Sequence, residues 1–218
     1  MVVEAVTSLL SGTSGHCPRP CRGGLAALFT LRLGAWLVGA KTLWRDEVGD
    51  LACNASGESC RRTCFDAAFP LSPASLFALQ LVVIFTHGLA CSRHVCQHGG
   101  GQGGRPQPKL RGKQQQLWLH LGSLLAKAVL EGIFLVTFHA LYSPFPVLVQ
   151  CPPSPCPPAV TCTILNAREK GAFNHFMAAS SWACVLLSLL GMHHAAAQIF
   201  QPPPGKAGPK GTARKPHV

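Results

Sequence analysis

The chain has 218 residues, 48% of them hydrophobic and only 12% charged, where a soluble domain carries roughly 25% charged residues. Its formal charge is +11, yet it holds one tyrosine and no basic stripe studded with aromatic side chains, so nucleic acid is a poor partner. The apolar residues gather in four blocks, which excludes a single-core globule and points to an all-α integral membrane protein, a four-helix transmembrane bundle.

Residues 1–23 show no long apolar run and no cleavage site of the signal-peptide kind, and read as a cytoplasmic N-terminal segment. Met1 to Leu10 has the spacing of a short amphipathic helix, which Gly12, Gly15, Pro18 and Pro20 then interrupt. The first span is predicted over 24–44, apolar except for Arg32 and Lys41. Loop 45–73 is polar, with Asp46, Glu47, Asp50, Glu58 and Asp66 beside three arginines. Pro70 and Pro73 cannot lie inside a helix, so they mark the start of the second span, 74–91. Segment 92–116 reads as a cytoplasmic loop: it carries Arg93, Arg105, Lys109, Arg111 and Lys113 with no acid, and the Gly, Gln and Pro content of 97–113 predicts a flexible stretch within it. The third span, 117–142, is long enough to tilt, and Pro144 and Pro146 close it. Loop 143–171 leads into the fourth span, 172–200. A basic tail, 201–218, reads as disordered and is a candidate for contact with anionic lipid.

Arginine and lysine excess marks cytoplasmic segments, so both termini and 92–116 face the cytosol and loops 45–73 and 143–171 are extracellular. The loops carry Cys53, Cys60 and Cys64 spaced C-x6-C-x3-C, and Cys151, Cys156 and Cys162 spaced C-x4-C-x5-C. Outside the cell thiols oxidise, so these six are expected as disulfides, and spacing alone allows 15 pairings. Neither loop has the C-x2-C knuckle of a zinc site. Cys17, Cys21, Cys91, Cys96 and Cys184 fall in the cytosol or membrane and should stay reduced. Cys17 and Cys21 lie where acylation is an alternative to plain thiols.

A charge at the bilayer centre costs on the order of 2.5–3.5 kcal/mol, so Arg32, Lys127 and Glu131 need a reason. They are either polar anchors between helices or groups that face water in a pore, and Lys127 and Glu131 sit one turn apart, where they can pair. Lys41, Asp46, Glu47 and Asp50 cluster at the outer end of the first span. Repeated around an axis they would form charged rings able to bind regulatory calcium. His87 and His193–His194 read as packed or span-terminal histidines, no catalytic motif occurs, and no enzyme activity or other cofactor is expected. Asn54–Ala55–Ser56 fits the N-glycosylation pattern.

Both cysteine triplets, with Ala40–Lys41, Trp44, Asp46–Glu47, Cys64–Phe65–Asp66, Phe69–Pro70, Ala78–Leu79–Gln80, Pro155–Cys156–Pro157 and Glu169–Lys170, resemble the connexins. The resemblance covers roughly residues 25–192 and implies a homo- or hetero-hexamer with connexin-like subunits around an aqueous pore, lined by the first span and the N-terminal helix. It further implies a plasma-membrane channel able to dock with a hexamer on an adjacent cell. It implies nested disulfides: Cys53 with Cys162, Cys60 with Cys156, Cys64 with Cys151. Departures stand beside the match. Val2–Val3–Glu4 lacks the family's usual tryptophan, His87 replaces a proline, and Gly191 replaces a glutamate. Pro158, Ala159 and Val160 replace polar residues that hydrogen-bond across the docking face, which predicts a channel acting mainly as an undocked hemichannel. The competing reading is a non-conducting tetraspan adhesion or scaffold protein.

Overall fold

The computed structural model describes residues 19–54, 57–100, 109–154 and 156–200. In chain order the elements are α1 (Arg19–Thr42), β1 (Leu51–Cys53), α2 (Glu58–Ala68), α3 (Pro73–Gly100), α4 (Lys109–Tyr142), β2 (Leu148–Gln150), β3 (Thr161–Ile164) and α5 (Ala167–Phe200). The expected N-terminal helix and the C-terminal tail lie outside the described residues.

Four helices are long and apolar enough to cross a membrane, over Pro20–Thr42, Pro73–Cys91, Leu117–Tyr142 and Ala167–Phe200. The shortest, 19 residues, rises about 28 Å, close to the roughly 30 Å of a hydrocarbon core. Their outward faces are apolar: Leu79, Val82 and Phe85 on α3, Leu125, Val129, Ile133 and Val136 on α4, Leu186, Leu189 and Leu190 on α5. Water would not tolerate patches of this extent, whereas lipid tails or neighbouring subunits cover them. Pro73 opens α3 where the helix needs no N–H, and the Trp36 indole donates to the Ala74 carbonyl at 3.0 Å, tying α1 to that start.

Both ends of the flexible loop predicted over 97–113 are helical instead. α3 runs on to Gly100 and α4 begins at Lys109, leaving only 101–108 between them, outside the described residues. Gly and Pro read as breakers there, but 111–116 is mostly Arg, Lys and Gln, good helix formers that carry α4 beyond its apolar span.

The loops fold into a crown. β1 and β2 flank β3 in an antiparallel sheet, with Cys53 opposite Cys162 in one ladder and Val149 opposite Cys162 in the other. In α2, Cys60 and Cys64 are one turn apart, which puts both sulfurs on the buried face. Leu51, Val149, Cys162 and Ile164 of the sheet pack in one cluster with Phe69, Tyr142, Phe138, Phe77 and Met177 at the helix ends. Crown and bundle therefore share a single core.

Candidate functional site

Polar groups from all four membrane helices meet inside the bundle. The Arg32 Nη1 of α1 donates to Glu131 Oε1 of α4 at 2.7 Å, and the Gln80 Nε2 of α3 donates to Glu131 Oε2 at 2.6 Å. The same Gln80 nitrogen donates to Ser181 Oγ of α5 at 3.0 Å. Arg32 is 1% exposed, Glu131 0% and Lys127 2%. Side chains so buried and so bonded tie the helices to one another. Lys127 lies within electrostatic reach of Glu131, Arg32 and Cys184. Both Glu131 oxygens accept from other helices, so the pairing expected within α4 is only part of a larger network. Sequence reasoning missed Gln80 and Ser181 as members. The available signal was a lone glutamine in an apolar span.

At the outer end the carboxylates separate. The exposed Asp46 takes the Gly49 N–H at 2.9 Å on its Oδ1, and any side chain at 49 would collide with that carboxylate. Glu47 Oε1 accepts from the Ser72 hydroxyl at 2.5 Å. Asp50 Oδ2 accepts from Lys170 Nζ at 2.5 Å, and the buried Lys170 ammonium sits 5.1 Å from the centre of the Trp44 ring. Each carboxylate of the proposed calcium cluster thus has its own partner, and one chain does not gather the three at a point. Lys41 is exposed one turn inward.

Burial pushes the Glu47 carboxyl above the ordinary range, against the lowering effects of the Ser72 hydrogen bond and the Lys170 charge. Ionising Glu47 therefore opposes folding. Its contribution is fully present below the unfolded-state value, about 4.3, and is lost as pH rises through the folded-state value. The expected result is a melting temperature that rises on acidification from neutral pH across this window, with the rise flattened in Glu47→Gln. An unchanged pH profile in that variant would remove Glu47 as its source.

The crown is closed by three disulfides, Cys53–Cys162, Cys60–Cys156 and Cys64–Cys151, all between the two loops and in nested order. Among the described residues the metal-sized groups of cysteines, Cys53–Cys151–Cys162 and Cys60–Cys151–Cys156, consist of these bridged sulfurs, which are not free to ligate zinc. At the rim Pro157, Pro158 and Ala159 are exposed, with Ala159 at φ 67°, while Val160 turns inward. Asn54 is exposed, and its Oδ1 accepts from the Thr161 N–H at 3.2 Å. Ala55 and Ser56 of its glycosylation pattern lie outside the described residues.

The inner half shows how two departures are accommodated. A side chain at Gly191 would meet Leu124 at 3.0 Å and the Cys21 sulfur at 3.3 Å, so those two groups occupy the space that a larger residue would need. Cys21 is buried and its thiol donates to the Leu187 carbonyl, an environment that suits a plain thiol and leaves no room for an acyl chain. His87 has its Nε2 3.6 Å from Cys91 Sγ, one turn along α3.

The connexin family model matches residues 2–106 and 97–197, and so covers the bundle, both loops and all three staples. With four span-length helices and an inter-loop disulfide crown on the same chain, this protein belongs to the connexin family, the subunits of gap-junction channels.

Proposed function

We propose that the chain forms hexameric plasma-membrane channels for ions and small metabolites that act chiefly undocked, as hemichannels. Connexins assemble as hexamers, and this reading places the crown outside the cell and both termini in the cytosol. Support comes from the basic, acid-free segments 92–116 and 201–218 and from disulfides that need an oxidising compartment. The observation that carries the undocked emphasis is the rim. Pro157, Pro158 and Ala159 stand exposed there without one polar side chain, where joining two crowns calls for hydrogen-bond donors and acceptors. A glycan on the exposed Asn54 would further separate two crowns. Calcium would act at rings that only several copies create, with the exposed Asp46 as its first contact.

The scaffold reading has one observation in its favour. From Ala27 to Val38 the exposed positions of α1 are Ala27, Thr30, Leu31, Leu33, Gly34, Leu37 and Val38, none of them charged. A conduit lined by such a face is poorly wetted.

Cells expressing the protein in contact with one another test both readings. Dye uptake in calcium-free medium with little transfer to the neighbour is the expected result. Strong cell-to-cell transfer overturns the undocked emphasis. Absence of uptake and of single-channel current despite surface expression favours the scaffold.

A further inference from the structure

We propose a transition-metal site at the inner end of α3, built on His87 and Cys91 and taking a borderline-soft divalent cation of the zinc type. The two residues are one helical turn apart, so their side chains rise on the same face. Their ligand atoms, His87 Nε2 and Cys91 Sγ, are 3.6 Å apart. A tetrahedral cation bound at ordinary Zn–S and Zn–N lengths separates its sulfur and nitrogen ligands by roughly 3.5 Å. The pair is therefore set for one ion without rearrangement of the backbone. Both residues are half-buried, and Cys91 is the last residue of the span, where the cytosol is in reach.

From α4, the Ser123 hydroxyl donates to Cys91 Sγ at 3.2 Å and holds the sulfur in place. Water completes the shell around these two ligands. Lys127, on α4, is the charged group that acts on His87, so a bound cation needs a compensating negative ligand. The thiolate supplies it. On binding, Cys91 releases its proton to water and its sulfur lone pair bonds the cation. His87 gives the Nε2 lone pair and keeps its ring proton on Nδ1.

This site stands whether or not the hexamer conducts. The full chain in lipid nanodiscs, titrated with Cd2+, should develop the ultraviolet thiolate-to-cadmium band at one ion per subunit. Cys91→Ser should lose the band. His87→Ala, which retains the sulfur, should bind at least about tenfold more weakly, the lower end of what loss of even an outer-shell partner costs. A band that persists in Cys91→Ser, or unaltered affinity in His87→Ala, overturns the site. One measurement needs no variant: Cd2+ should shield Cys91 from maleimide in the wild-type protein, read by peptide mass spectrometry. Alkylation at the same rate with and without Cd2+ also overturns it.

Discussion

Glu131→Ala is expected to abolish surface expression and to destabilise the bundle by roughly 3–5 kcal/mol, the range for breaking a buried ion pair from one side. The carboxylate is 0% exposed and holds Arg32 at 2.7 Å and Gln80 at 2.6 Å. Its removal leaves a guanidinium with no counter-charge on Nη1 and strips an amide of its partner, in a setting without water to replace either. Against a typical net stability of about 5–15 kcal/mol, that loss decides whether the helices stay together. The control is the double replacement Arg32→Leu with Glu131→Leu, which removes both charges and should be milder than either single change. Cell-surface biotinylation and the melting temperature of the purified hexamer read the effect. Single variants that behave as wild type would show that α1 and α4 are held by apolar packing alone.

The second large effect is expected from Cys64→Ser combined with Cys151→Ser. Cys64 is 0% exposed and sits at the centre of the cluster that joins α2, the sheet and the helix ends. The bridge closes a loop of 87 residues, and removing a native disulfide from a small extracellular unit typically costs about 2–5 kcal/mol. The crown has few alternatives, since its strands are three or four residues long and its helix has 11. Limited proteolysis under non-reducing conditions should cut the variant within 45–73 and 143–171 while sparing the wild type. Either single serine variant should do worse than the pair, because the stranded thiol can exchange with the remaining bridges. Equal protease resistance in all forms would mean that two staples suffice.

The membrane architecture was legible because its signal is coarse: a run of about 20 apolar residues has few other destinations. The intramembrane charges were legible as anomalies, and the structure adds that Arg32 and Glu131 are buried against each other. The partners were less visible. A lone glutamine in an apolar span flags Gln80 but does not name its partners, since Glu131 and Ser181 lie on other helices and meet it only after the bundle forms. In the sequence Lys170 stands out only within Glu169–Lys170, yet it is buried against Trp44 and paired with Asp50, 120 positions earlier in the chain. Helix α2 went unread inside a loop, although the three-residue gap between Cys60 and Cys64 is one helical turn. Composition misled at 97–113, where glycine and proline in the sequence masked the helical character of both ends.

Every staple pairs a cysteine preceding Gly100 with one following Lys109. Severing the connection between α3 and α4 would therefore yield not two fragments but one molecule, its amino- and carboxyl-terminal halves sewn together at the opposite end of the bundle. A reductant applied from outside would be needed to undo the covalent tie, and even then Glu131 would still bind Arg32 and Gln80 across the divide.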